Sequence, residues 1–519
     1  MQPISELSFP PELVYSFLAS LQSKFSSGPD QLPSILYKKL ALQLALPLSL
    51  IFHKSFVTSK LPDEWLSANV VPIHKRNSKS NPANYRPISL TCVACRIMEK
   101  LIKVVLLSHL KQKGLISAAQ HGFLSNRSTV TQLLQCINDW SVALDEHHAI
   151  DVAYADIQKA FDQTRHSTVI QSLSAYGIQG NLLKWIQAFL TNRKQRVAVD
   201  GSYSDFLPVS SGVPQGSVLG PLLFLVLINR LPSVIENSSI KLFADDCKLY
   251  FQVDSDQDAA LFESDLTSLF NWAESVHLSL ALNKTVLLHL GNNNPHRKYL
   301  ISGTPLESVN RIKDLGVLIT DDLDFEQHCR NLAHKGHFIA NSIFSAFQTR
   351  STEFLTQMFK TYVRPTLEYA TEVWSPIEIG DIDLIERVQR RFTKRIPSVR
   401  HLPYPERLRE LDLVSLEERR IKADLIQMFK MSKGMSFLKF DDFFERVSER
   451  ARLRYPNRVR PQLARNRIRK QCFSVRTVHP WNHLDSELSS STKLSTFRNK
   501  LDCVDFSSFL RGSGVKSPE

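Results

Sequence analysis

No stretch of this sequence offers the roughly 20 uninterrupted apolar residues that a membrane-spanning helix needs. The nearest, Leu40 to Val57, is broken by Gln43, Pro47, Ser49, His53 and Lys54 and reads as a buried helix. The basic start, apolar run and small-residue cleavage site of a secretory signal are missing, so a soluble intracellular protein is expected. Cysteine is sparse: seven residues, an odd number scattered over 519, suggest reduced thiols rather than a disulfide framework. Cys92 and Cys95 form a C-x-x-C pair. No second Cys or His pair stands at zinc-ligand spacing, which leaves buried thiols at a helix start as the simpler reading. No internal repeat or low-complexity segment is evident.

What is present is a chain with 43% hydrophobic residues, long enough to bury more than one core and to form several subdomains. Its 64 Lys and Arg against 51 Asp and Glu give a formal charge of +13, which favours a polyanionic partner, nucleic acid or an acidic membrane surface. Helices are expected around a Ser-Ser-Gly-Pro-Asp turn at Ser26 to Asp30, then a hairpin from Asn69 to Ile88 with a charged tip, then a helix from Cys92 to Leu110. From Asp151 short strands alternate with helices: Val152 to Ile157, the paired Gln195 to Val199 and Phe206 to Ser210, the strand-turn-strand Ile240 to Gln252, Thr285 to Leu290, and Asp314 to Ile319. Beyond about residue 330 only helical periodicity remains, and Arg446 to Lys470 holds ten basic residues against the single acid Glu449.

Three motifs carry chemistry. In Tyr154-Ala155-Asp156-Ile157-Gln158-Lys159-Ala160-Phe161-Asp162 an apolar strand delivers Asp156 at its end, where it serves as a metal ligand on a rigid element or as an ordinary solvated strand end. In Leu242-Phe243-Ala244-Asp245-Asp246-Cys247 two adjacent carboxylates sit between apolar runs. Burying both unpaired is too costly, so they belong at a hairpin tip, in solvent or on a cation. Between the two lies Ser211-Gly212-Val213-Pro214-Gln215-Gly216-Ser217-Val218-Leu219-Gly220-Pro221, a glycine-rich turn at a helix start that admits close approach of a ligand or merely caps the helix. If the three aspartates meet at one sheet edge, their hard oxygens suit a pair of Mg2+ ions and nucleotidyl transfer.

These motifs, in this order, resemble the palm of reverse transcriptases. The flanking text, Leu61-Pro62-Asp63-Glu64-Trp65, Asn69-Val70-Val71-Pro72-Ile73, Asn81 to Leu90, Gln120-His121-Gly122-Phe123, Lys313-Asp314-Leu315-Gly316-Val317, Tyr369 to Trp374 and Val388-Gln389-Arg390-Arg391-Phe392, looks like the non-LTR retrotransposon (LINE-type, Jockey and CR1-like) branch. The resemblance implies an α+β right-hand polymerase. Residues 1–60 would be a helical extension, 61–150 fingers, 151–325 a ferredoxin-like palm, 326–435 a helical thumb and 436–519 a basic C-terminal region.

It also implies roles. Asp156, Asp245 and Asp246, with the backbone carbonyl of Ile157, would hold Mg2+ (Mn2+ as a substitute). Phe161 would be a steric gate under the incoming sugar, and Arg86 would meet the phosphates, a structural salt bridge being its alternative role. Lys75 and Arg76 would fold over nucleotide or template, and Gln215 and Gly216 would pack against the templating pair. Lys284, unless merely solvated, would stand near the departing pyrophosphate as a general acid. Arg193, Lys194 and Arg196, and Arg390, Arg391, Lys394 and Arg395 on a thumb helix, would follow the nucleic-acid backbone. Partners would be an RNA template, a DNA primer or target and dNTPs, with no membrane, and target-primed synthesis would place the chain in the nucleus. The expected activity is RNA-directed DNA synthesis. The alternative is an idle or domesticated copy that only binds RNA or DNA. Departures occur at Ser26, Gln31, Arg165 and Asn229-Arg230-Leu231, and a truncated element is expected because the branch's upstream endonuclease pattern is missing.

Overall fold

A computed structural model describes residues 3–75, 77–447 and 457–512. The expected hairpin forms as β1 (Ser67–His74) and β2 (Tyr85–Leu90), paired antiparallel from Asn69 opposite Leu90 to His74 opposite Tyr85. β3 (Ile150–Asp156) follows, then β4 (Arg193–Val199), β5 (Ser202–Tyr203) and β6 (Leu207–Val209). β4 joins β1 in parallel and takes β6 antiparallel, so this first sheet is built from two distant parts of the chain.

The second sheet holds the carboxylates. β7 (Ser239–Phe243), β8 (Asp246–Gln252) and β9 (Val286–Leu290) join β3 in the spatial order β9-β3-β8-β7, with the short strand Glu307–Ser308 added beside β9. Among those four strands the order is fourth, first, third, second. With helices crossing between β3 and β7 and between β8 and β9, this is the ferredoxin-like arrangement, and the fold is α+β. β3 is apolar on both faces because both are covered. Ala153 and Ala155 pack into a core shared with the N-terminal helices, while Ile150 and Val152 pack into a second core shared with the C-terminal helical half.

Three expectations are corrected. The helix Ala41–Thr58 is long and apolar enough to cross a membrane by length and composition, and it is buried on one face only. Phe52 and Phe56 are inside, whereas Leu42, Leu46 and Leu50 are 74%, 57% and 62% exposed, because the apolar residues run round the helix and only one side meets Pro11–Ala19 and the core. The strand expected at Asp314 to Ile319 is a hairpin, Arg311–Asp314 with Val317–Thr320, turning at Leu315 and Gly316, both at positive φ (45° and 97°). In the Arg446 to Lys470 run, four of the described arginines are tied to acids, amides and a hydroxyl elsewhere. Arg446 pairs with Asp441, Arg460 with Glu445, Arg467 with Asp324 and Glu378, and buried Arg469 donates to Asn138 and Ser141. Counting charges inside the run missed partners brought from other elements. Residues 448–456 of it, like Arg76, lie outside the described residues.

Candidate active site

β3 delivers Asp156 at its last position, and β8 begins with Asp246 directly opposite, their Cα atoms paired in register. Phe243 pairs with Asp246 across β7 and β8, so Ala244 and Asp245 alone form the loop, with Ala244 at φ 58°. A two-residue loop with a positive first φ suits the twist of an antiparallel pair. It sets Asp245 and Asp246 at the tip, as the apolar flanks demand.

The electrostatics agree with this crowding. The surrounding protein pushes the Asp245 carboxyl up, the Asp156 charge adds to that, and Arg86 and Lys75 oppose it. Asp246 keeps an open face to solvent, yet desolvation by neighbouring protein and repulsion from Asp245, Asp314 and Asp156 push it up to about 6. Asp245 and Asp246, both pushed up beside the Asp156 charge, form with it a site with unmet negative charge, the condition a divalent cation relieves. Among the described residues no group of three His, Cys, Asp or Glu side chains is placed to hold a metal ion by itself. Mg2+ is usually held by one or two carboxylates, with waters and substrate phosphates completing its shell, so an open set of this kind fits it.

The remaining predicted residues gather around this edge. Ile157 bridges Leu280, and the two flanking hydrogen bonds run from Gln158 N to Ser279 O (2.9 Å) and from Ala281 N to Asp156 O (2.8 Å). The N–H and carbonyl of Ile157 therefore face away from Leu280. Lys284 Nζ stands 3.5 Å from Asp156 Oδ2, a solvent-exposed contact that contributes little to stability and locates the amine beside the acids. The glycine-rich turn docks on the Phe161 segment: Val213 N donates to Phe161 O (2.8 Å), and Gln215 Nε2 to Asp162 Oδ1 (2.9 Å). Gly216, at φ 121°, lies where a Cβ would stand 2.5 Å from Ser89 O, so the turn presses directly on the β2 strand that carries Arg86. Phe161 is half-buried, stacked on Phe224 at 4.7 Å.

The basic residues divide. Lys194 is exposed on β4, and the Arg196 guanidinium lies 4.0 Å over Tyr203 with its Nε donating to Asn69. Arg193 is 4% exposed, donates to Phe189 O and lies near the buried Cys95 and Glu99, so the expectation that it meets a phosphate backbone is corrected. Arg391, Lys394 and Arg395 line an open groove of about 750 Å3 opposite His334, His337 and Phe338. Arg390, on the same helix, instead turns toward Tyr404, 5.1 Å from its ring, with Nε and one Nη buried.

Sequence reasoning gave no role to two side chains that build the site. Buried Glu99 accepts from Val218 N (2.7 Å) and Leu219 N (2.9 Å), capping the helix after the glycine-rich turn; a carboxylate on the apolar Cys95, Glu99, Ile102 stripe was the available signal. Gln120 accepts from Ala244 N (3.0 Å) in the Asp245 loop, and nothing in its local sequence announces that.

The model of the family described as "Reverse transcriptase (RNA-dependent DNA polymerase)" matches residues 73–355, more than half the chain and all three carboxylates. The chain belongs to the reverse transcriptase family. Within it, the chain falls on the non-LTR branch. It is 26% identical over 405 residues to the probable RNA-directed DNA polymerase from transposon X-element of Drosophila melanogaster, covering 75% of this chain and 44% of that protein. Similar matches, 26% over 429 and over 423 residues, join it to the probable RNA-directed DNA polymerase from transposon BS and to that from mobile element jockey, both of Drosophila melanogaster. They cover 78% and 79% of this chain and 47% and 46% of the two relatives. The chain thus spans about half the length of these relatives. Among solved structures, an apo telomerase from Candida Tropicalis truncated from its C-terminal domain aligns with a TM-score of 0.37 at 12% identity, over 55% of this chain and 60% of that one. The fold assignment rests on the family match and the sheet order.

Proposed function

We propose that this reverse transcriptase chain extends a primer 3′-hydroxyl with dNTPs on an RNA template. The observation that carries the reading is the register of Asp156 against Asp246 with Asp245 in the adjoining loop. Asp156, Asp245, Asp246 and the Ile157 carbonyl would hold divalent cations, Mg2+ with Mn2+ as a substitute. Such a pair supplies activation of the attacking hydroxyl and stabilisation of the departing pyrophosphate.

The chain's own residues do the rest. Arg86 and Lys75, near enough to Asp245 to oppose the rise in its pKa, approach the nucleotide phosphates from the β1–β2 hairpin. Phe161 stands under the sugar as a ring that leaves no room for a 2′-hydroxyl. Gln215, fixed by Asp162, and Gly216, pressed on Ser89, shape the floor beneath the templating pair. Lys284 is placed to give a proton to pyrophosphate. Lys194 and Arg196 on one side, and Arg391, Lys394 and Arg395 on the other, offer cations to the backbones of template and primer. In this reading residues 61–150 act as fingers, 151–325 as palm and 326–435 as thumb.

Primer extension on an RNA template with dNTPs and Mg2+ tests the proposal against the Asp245→Ala, Asp246→Ala double variant. Extension by the parent chain alone is expected. Equal incorporation by both proteins, or none by either despite binding of the primer–template, would leave only a nucleic-acid-binding role.

A further inference from the structure

Phe123 sits in a backbone conformation that aromatic residues rarely adopt, φ 58°, with 49% of its surface exposed. Its neighbours leave it little choice. Leu242 N donates to Ala119 O (2.9 Å) and His121 N to Leu242 O (2.8 Å), so Ala119 to His121 runs as an added edge beside β7. Gln120 Oε1 accepts from both Gly122 N (2.7 Å) and Ala244 N (3.0 Å), and a Cβ on Gly122 would stand 2.6 Å from Ala244 N. Behind the segment, the Arg127 guanidinium donates to the carbonyls of Ser117 and Gln120 and lies 3.6 Å from the Phe437 ring centre. The loop that carries Asp245 and the segment that carries Phe123 are therefore one fastened unit.

That unit aims an aromatic ring at one target. Phe123 meets Phe161 edge-on, centroids 6.4 Å apart at 83°, while buried Phe224 stacks under the face of Phe161 at 4.7 Å and 24°. Core burial does not account for a half-exposed ring held in an unfavourable conformation, and such outliers gather where a ligand is gripped. Stacking on Phe224 blocks only one face of Phe161. Without a second contact, the ring of Phe161 could swing about χ1 and open the space it occupies.

We propose that Phe123 is a specificity-determining residue for the sugar of the incoming nucleotide: its ring braces Phe161 edge-on, so that a 2′-hydroxyl meets a wall that does not swing aside. This rests on the polymerase reading above, and the two fail differently. Phe123 contributes through Phe161 and not through the acids, so its removal relaxes sugar choice while leaving dNTP turnover largely in place.

The experiment measures single-nucleotide incorporation of dNTP and rNTP, each with its own kcat/KM, for the parent chain and for Phe123→Ala, Phe123→Gly and Phe123→Tyr. The parent favours dNTP. In Phe123→Ala and Phe123→Gly the preference falls by about tenfold or more, the scale of discrimination lost when a shaped apolar contact is removed, while Phe123→Tyr keeps it. Glycine tolerates a positive φ, so Phe123→Gly removes the ring while relieving the strain and separates the ring's action from folding. Unchanged discrimination in both ringless variants, with dNTP turnover intact, overturns the proposal alone. A parent chain that incorporates neither nucleotide overturns it together with the polymerase reading.

Discussion

Replacing Glu99 tests how the glycine-rich turn is held in place. The side chain is fully buried on the helix Val93–Gln112, and its Oε2 accepts from Val218 and Leu219, whose N–H groups stand at the start of the helix Gly220–Ile228 where no intrahelical partner exists. Burial raises its pKa, and those two hydrogen bonds with the charges of Arg193 and Arg96 oppose the rise. Glu99→Ala strands both donors, at about 1–3 kcal/mol each. It also removes the carboxylate that helps to offset the buried Arg193 guanidinium, so a total of about 4 kcal/mol is expected, within the range for breaking a buried charge pair. Glu99→Gln keeps an oxygen for both donors and loses only the charge, about 1–2 kcal/mol. Hydrogen exchange read on peptides across Val213 to Gly220 converts these into protection. Protection should fall about a thousandfold in Glu99→Ala and about tenfold in Glu99→Gln. If exchange is unchanged in Glu99→Ala, or if the glutamine is as damaging as the alanine, the capping argument is wrong.

Gly216→Ala must place a Cβ 2.5 Å from Ser89 O at φ 121°, so the turn has to withdraw from β2. Strain of about 1–3 kcal/mol is expected, seen as a lower thermal midpoint and a raised nucleotide KM, and a variant matching the parent in both would refute the close approach. His328 is buried with Nδ1 accepting from Leu318 N (3.1 Å), and burial, then Lys313, lowers its pKa to about 4. Below the unfolded value near 6.5 the unfolded chain takes up the proton first, so stability is full above that pH and falls by about 3 kcal/mol as pH drops toward 4. His328→Gln keeps an acceptor that does not titrate. Denaturation midpoints followed from pH 7 to pH 4 should fall less steeply in it, and identical slopes would remove His328 from the account.

The sequence by itself determined the family and the place of its acids. Asp245-Asp246 between two apolar runs had to lie at a hairpin tip, because unpaired buried carboxylates are too costly, Asp156 was legible as a strand end, and local pattern placed β3, β7 and β8 correctly. Tertiary structure decided everything that depends on which distant segments meet. Arg193 is buried beside Cys95 and Glu99 of a distant helix, Arg460 and Arg467 find acids on other elements, and the Gln120 carboxamide reaches the Ala244 loop across more than a hundred residues. Alternation and periodicity act over a few residues, whereas charge pairing and hydrogen bonding act across space. A pattern read along the chain could name the acids, but only the packed molecule could supply the side chains that hold them in place.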